Sequence, residues 1–201
     1  MERQMFCYQC EQTAGCSGCT GNAGVCGKKA DTAALQDELT GALIGLARTV
    51  DGRETGQETD DLVLEGLFTT VTNVNFSNET ITDLIQRVRR EKERLSPGCA
   101  GCGSPCGKAE GYPMERLWNA DADIRSLKSL ILFGIRGMAA YAYHAAVLGY
   151  RDARINAFFY KALFAIGEDW GMEELLPIVL EVGEVNLDCM ALLDRANTET
   201  F

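Results

Sequence analysis

Eight of the nine cysteines in this chain fall in two short glycine-rich segments, 7–26 and 99–106. That placement constrains the fold more than any other feature. Structural cysteines usually scatter along buried helices, whereas thiols crowded into turns are placed to meet one another. In the first segment Cys7-Tyr8-Gln9-Cys10 is followed by Cys16, Cys19 and Cys26, with glycines at 15, 18, 21, 24 and 27. Glycine allows close backbone approach and positive φ, so the loop can wrap tightly and point N–H groups at sulfur. Residues 1–30 read as a cofactor loop. In the second segment, Cys99, Cys102 and Cys106 lie on another glycine-rich turn.

The remainder of the chain is helix-patterned. Leu35, Leu39, Leu43 and Leu46 recur at four- and three-residue steps from Asp31 towards Asp51-Gly52. A second helix is expected to begin at Asp60 and Asp61, where acidic groups favour the positive end of the dipole. It runs through Val63, Leu64, Leu67 and Phe68. A third follows the cap candidates in Asn75-Phe76-Ser77-Asn78 and ends near Ser96. After the cysteine-rich connector, the strongest periodicity starts at Asp123 and continues through Ile135, Met138 and Tyr141. Gly134, Gly137 and a crowd of alanines in that stretch predict a central, heavily buried helix, ended by Gly149. Two more helices are expected over 152–167 and 172–195, with Pro177 tolerable only near the first turn of the latter. No strand is expected. The chain reads as an all-α domain over 1–201: cluster loop (1–30), first three-helix bundle (31–96), Cys-rich connector (97–120) and second three-helix bundle (121–201).

Charge narrows the choice of partners. The formal net charge is −10, so nucleic acid and anionic membrane surfaces, which demand clustered Lys and Arg, are not the expected partners. The one basic run, 87–94, is interrupted by Glu91 and Glu93 and reads as a solvated helix face. The first residues carry no apolar core of a secretory signal, and no eighteen-residue uninterrupted apolar run is present. Nine cysteines without such a signal point to a reducing compartment, the cytoplasm, where thiols serve as metal ligands more than as disulfides.

Both zinc and iron–sulfur centres are held by four cysteine thiolates. Two knuckles, Cys7/Cys10 and Cys16/Cys19, would suit zinc but leave Cys26 idle. Cys7, Cys10, Cys19 and Cys26 have the wider, irregular reach of a [4Fe-4S] cubane. Cys99, Cys102 and Cys106 supply three ligands to a second iron–sulfur cluster, with Cys16 as a candidate fourth. A ligand from a second copy of the chain, or an exchangeable non-protein ligand, is the other choice. Cys189, between Leu187 and Met190 in the last helix, reads as a buried core thiol. His144, the single histidine, reads as packed and hydrogen-bonded rather than ligating.

Phe6-Cys7-Tyr8-Gln9-Cys10-Glu11-Gln12-Thr13, Gly18-Cys19-Thr20 and Gly24-Val25-Cys26-Gly27-Lys28 resemble the N-terminal signature of the hybrid-cluster (prismane) proteins. These are called hydroxylamine reductases and are related to the carbon monoxide dehydrogenases. Leu67-Phe68-Thr69-Thr70-Val71-Thr72-Asn73-Val74-Asn75, Asp123-Ile124-Arg125-Ser126-Leu127, Gly137-Met138-Ala139-Ala140-Tyr141, the stretch from His144 to Gly149 and Met190-Ala191-Leu192-Leu193-Asp194 extend the resemblance over most of the chain. It implies that Cys7, Cys10, Cys19 and Cys26 hold the cubane on a helical domain. Full-length members continue into α/β domains that carry the hybrid cluster, and this chain stops at Phe201 before those ligands. The family's reductase activity is therefore not expected of this polypeptide alone. The second cysteine segment is a departure from the standard members; its proportions are similar to a Cys-x-x-Cys…Gly-Pro-Cys segment of the carbon monoxide dehydrogenases.

The expected function is one-electron transfer through the cubane and a second cluster. The alternatives are a minimal hydroxylamine reductase-like oxidoreductase acting at the second cluster, and a zinc-stapled interaction module. A redox partner protein is expected, and a homo-oligomer, possibly sharing a cluster. Lys28 and Lys29 are placed to offset the negative charge of a loaded site, and Tyr8 and Gln9 to tune it.

Overall fold

The computed structural model describes residues 4–10, 12, 17–72, 74–96 and 111–201. Seven helices are present among them: α1 (Ala30–Val50), α2 (Gln57–Thr69), α3 (Asn78–Leu95), α4 (Glu115–Trp118), α5 (Ala122–Val147), α6 (Ala153–Gly167) and α7 (Met172–Thr200). The chain is all-α, and the described residues form no strand, only an isolated antiparallel bridge between Cys7 and Cys19.

Several helix ends follow from local chemistry. The Ser77 hydroxyl accepts a hydrogen bond from the Thr80 amide at the start of α3, and the Asp152 carboxylate accepts from the Arg154 and Ile155 amides at the start of α6. At the start of α7 the Glu174 carboxylate accepts from the Gly171 amide, 3.0 Å away. Asp51, with φ 46°, closes α1 by donating its amide to the Ala47 carbonyl. Gly149, at φ 90°, follows the end of α5, as expected.

Other expectations need correction. α2 starts earlier than Asp60, at Gln57, because the Gly56 carbonyl accepts from Thr59 and Asp60 and so already caps the helix. α4, a single turn inside the connector, was too short to show a period. α7 extends past 195 to Thr200, and Pro177 lies in its second turn, on the exposed face. The most enclosed helix is α1, not α5. Thirteen of its 21 residues are buried, including Leu39, Leu43, Ile44 and Leu46 at 0% exposure. α5 leaves Leu130, Gly137, Tyr141, His144 and Val147 exposed. α5 is also long and apolar enough, by length and composition, to cross a membrane. Its Ile131, Leu132, Ile135, Met138, Ala139, Ala142 and Ala145 nevertheless lie in the protein core.

α1 packs on α3, α2 and α6, while α5 packs on α7, α2 and α6. α2 and α6 each pack on both α1 and α5, and one apolar core takes residues from α1 to α7 and from Tyr8 of the loop. Two glycines set the closest approaches. A Cβ on Gly41 would collide with the Tyr112 carbonyl, and the Tyr112 amide donates to the Gly41 carbonyl at 2.9 Å. That contact pins residues 111–112 onto α1. A Cβ on Gly134 would collide with Val182 Cγ1, so α5 and α7 touch almost backbone to side chain. Gly137, one turn on, faces open space.

The pair Gly134→Ala and Gly137→Ala separates packing from helix propensity. Alanine at 137 is expected to stabilise the chain by up to ~1 kcal/mol, the propensity gain. Alanine at 134 is expected to destabilise it by about 1–3 kcal/mol, because overpacking against Val182 outweighs that gain. Urea denaturation of the two variants beside the parent measures both.

Candidate metal centre

The described residues of the first cysteine segment are anchored at three points. Tyr8 inserts into the main core, its ring 5.1 Å from that of Trp118, with Phe6 stacked on the other side at 6.2 Å. Met5, Cys7 and Ala33 form a small buried cluster joined by Cys19 and Ala30, which seats the loop on the first turn of α1. Cys7 and Cys19 exchange both backbone hydrogen bonds, Cys7 N–H to Cys19 O at 3.0 Å and Cys19 N–H to Cys7 O at 2.9 Å. This pairs two of the four expected ligands side by side. Gly18 permits it, since its φ is 63° and a Cβ there would lie 2.8 Å from both the Cys7 carbonyl and the Tyr8 ring. The turn carrying Cys26 is closed by Gly24 N–H to Lys28 O at 2.8 Å and Gly27 N–H to Gly24 O at 2.9 Å.

Exposure grades the four thiols. Cys7 is buried, Cys10 and Cys19 are half-buried, and Cys26 is exposed. Burial pushes the Cys7 thiol above its ordinary range, while the Lys28 ammonium and the Gln9 amide work in the opposite direction, favouring thiolate. Among the described residues, no three His, Cys, Asp or Glu side chains stand close enough to share one metal ion. The chemistry of the donor set nevertheless suits a thiolate-held group: four cysteines within twenty residues, with the Gln9 backbone amide and the buried Lys28 ammonium both directed at the Cys7 sulfur. Cys16, Cys99, Cys102 and Cys106 lie outside the described residues.

The remaining expectations resolve simply. Cys189 is fully buried in α7, and burial pushes its thiol up to about 12, so it is inert core. His144 is exposed, not packed inside. It meets the Phe68 ring edge-on at 5.4 Å and the Tyr143 ring at 6.1 Å.

A polar chain runs from the loop into α1 that no motif announced. Lys28, only 1% exposed, places Nζ 3.8 Å from Cys7 Sγ and donates to Gln9 Oε1 at 3.3 Å. Gln9 Nε2 in turn donates to Asp37 Oδ1 at 2.6 Å. Beyond it, Arg136 of α5 is buried and donates to Thr70 Oγ1 at 3.0 Å and Thr40 Oγ1 at 2.9 Å. Burial lowers Arg136 to about 10, with Asp37 opposing that effect. The sequence singled out Lys28 as an offset to the charge of a loaded site and Gln9 as a tuning residue, but not the Asp37 carboxylate that joins them to α1.

A cleft of about 760 Å³ opens beside this chain, lined among others by Phe6, Asp37, Gly41 and Tyr112. Ser96 and Gly111, which flank the second cysteine segment, also line it. Burial raises the Asp37 carboxyl from 3.8 to about 6, against the hydrogen bond from Gln9 and the charges of Arg136 and Lys28. The folded state therefore holds this proton more tightly than the unfolded state. The resulting stabilisation is complete below about pH 4 and is lost as pH rises through about 6, a change of roughly 3 kcal/mol at most. Asp37→Asn is expected to flatten the stability profile across that window, as read by denaturant titrations at pH 4.5 and pH 7.

Comparison with known proteins follows this geometry. The Prismane/CO dehydrogenase family model matches residues 5–201. Proteins named hydroxylamine reductase are similar over 98% of this chain: 38% identical in Clostridium novyi, 39% in Methanocella arvoryzae and 41% in Chlorobaculum tepidum. The aligned region is 40%, 41% and 39% of those relatives' own lengths, so the chain spans about two fifths of each. With a family match over nearly its whole length, the chain belongs to the Prismane/CO dehydrogenase family, whose members carry iron–sulfur clusters, and is related at that level to iron–sulfur oxidoreductases.

Proposed function

We propose that this chain is a one-electron-transfer domain in which Cys7, Cys10, Cys19 and Cys26 hold a [4Fe-4S] cluster, with Cys99, Cys102, Cys106 and the candidate Cys16 holding a second. The observation that carries the reading is the loop's construction: Cys7 and Cys19 paired backbone to backbone, with a buried ammonium 3.8 Å from the Cys7 sulfur. A thiolate-held cubane supplies reversible one-electron redox chemistry when bound. The chain's part is to hold the thiols, shield Cys7 from water and leave Cys26 at the surface. That asymmetry gives a redox partner protein an edge to approach. Ser96 and Gly111, the described residues on either side of the second cysteine segment in the sequence, line the cleft that also borders Phe6, the neighbour of Cys7, and this supports a relay between two centres.

A second reading is favoured by the relatives' name. A minimal hydroxylamine reductase would act at the second cysteine segment, if its cluster keeps an iron free for substrate. The two readings differ in one measurement, hydroxylamine turnover by the isolated chain, which electron transfer alone does not require.

Anaerobically purified protein is expected to be brown and to carry iron and acid-labile sulfide in equal amounts. Cys7→Ser is expected to remove about half of both, and Cys99→Ser the other half. A colourless protein with zinc and no iron would establish the zinc-stapled module instead. Unchanged iron in Cys16→Ser would remove Cys16 as a ligand.

We also propose self-association through α7. Leu176, Leu180, Leu187 and Met190 are 51%, 64%, 66% and 47% exposed and follow the three-and-four spacing of a helix seam, with Gly183 between them. Such a seam is self-complementary and suits a second copy of the chain. The parent is expected to run as a dimer by light scattering, and Leu180→Glu with Leu187→Glu as a monomer.

A further inference from the structure

Lys28 stands out as a charge without a direct counter-ion. Its side chain is 1% exposed, and its Nζ lies beside Cys7 Sγ, Gln9 Oε1 and, 5.9 Å from the centroid, the Phe76 ring. Among the described residues no carboxylate meets it directly; Asp37 reaches it only through the Gln9 amide. Burying an ammonium costs several kcal/mol unless an anion compensates it. A neutral amide oxygen and an aromatic face offset only part of that cost. Arg136 adds a second buried cation within electrostatic reach of Asp37, so among the described residues two buried cations face one half-buried carboxylate, with the exposed Glu115 beyond it. The interior behind the loop is thus short of negative charge, and the atom facing that deficit is the Cys7 sulfur.

We infer that Lys28 is a positioning residue whose fixed positive charge, held in place by Gln9 and Asp37, is the counter-ion of the thiolate-held group at Cys7, Cys10, Cys19 and Cys26 and raises its reduction potential. The inference rests on the reading of those four cysteines as ligands. A cubane with four thiolates is doubly negative when oxidised and gains one more negative charge when a one-electron donor reduces it. A cation close to one of the sulfurs stabilises the reduced form more than the oxidised form. Lys29, the neighbouring residue, is exposed and screened by water, so it contributes little. Gln9 orients the charge: its carbonyl oxygen accepts from Lys28 while its amide donates to Asp37, so the carboxylate restrains the ammonium without neutralising it at contact distance.

The test uses the whole chain, loaded with iron and sulfide, and reads midpoint potentials by EPR-monitored titration. Lys28→Met is expected to disfavour reduction at least tenfold, about 59 mV more negative for one electron. Lys28→Arg, which keeps the charge, is expected to recover most of that change. Asp37→Asn, which removes the restraining negative charge, is expected to move the potential the opposite way. Lys28→Gln, a neutral polar replacement, is expected to shift the potential the same way as Lys28→Met and serves where Lys28→Met folds poorly. A loaded Lys28→Met protein with the parent's potential overturns the inference, as does an Asp37→Asn shift to more negative values. Cobalt(II) titration of the apo-protein separates this result from the iron–sulfur reading. Four neutral thiols become a doubly negative cobalt–thiolate complex, so Lys28→Met is expected to weaken the thiolate-to-cobalt absorption titration about tenfold or more. Parent protein that takes cobalt but no iron and sulfide would sink the iron–sulfur reading while leaving Lys28 tested; equal cobalt affinity in parent and Lys28→Met overturns the inference by itself.

Discussion

The structure depends on the enclosure of α1. A helix that touches water on one face needs one apolar stripe, but α1 is packed by α2, α3 and α6 and overlain by the connector at Gly41. Each side of it meets a different neighbour through a specific group. Leu39, Leu43 and Leu46 fill the shared core, and Gly41 gives up its side chain so that Tyr112 can lie against the backbone. The polar positions are equally committed: Gln36 donates to the Asn75 carbonyl, Thr40 accepts from Arg136, and Asp37 accepts from Gln9. The cysteine loop therefore sits on the part of the molecule with the least room to move.

That arrangement explains what could be read from sequence. Helix existence was legible because each helix buries a stripe of leucine, isoleucine or valine against something, and a stripe has a period. Starts marked by Ser77 and Asp152 were legible because a capping side chain sits beside the amides it satisfies. The pairing of Cys7 with Cys19 across Gly18 is local too, and the glycine-rich spacing pointed to such a tight turn. Four things failed for a common reason. The rank of α1 over α5, the buried Lys28, the Gln9–Asp37 link and the exposed His144 are all decided by contacts between residues distant in the chain. Lys28 bonds a residue 19 positions away and Gln9 one 28 away, and Arg136 reaches back 96 to Thr40. Composition made α5 look central, since alanines and glycines permit close packing; α7 exploits that through Gly134, while Gly137 is left open.

Charge is distributed in a way that composition conceals. The chain as a whole is strongly acidic, yet behind the loop, among the described residues, two buried cations face one half-buried carboxylate. An acidic exterior keeps the protein soluble and repels other anions, but it would disfavour every added electron at a thiolate centre. The interior cations act at short range and low dielectric, where a charge counts for more than a distant, water-screened one. The same asymmetry accounts for Asp37. A carboxylate among buried cations would normally be held well ionised, but here its own desolvation wins and raises it to about 6. Asp37 is half-buried at the edge of the cleft, on α1. Fold and site are in this sense one feature: the helix that the core surrounds most completely is also the one that fixes the charges facing the cysteines.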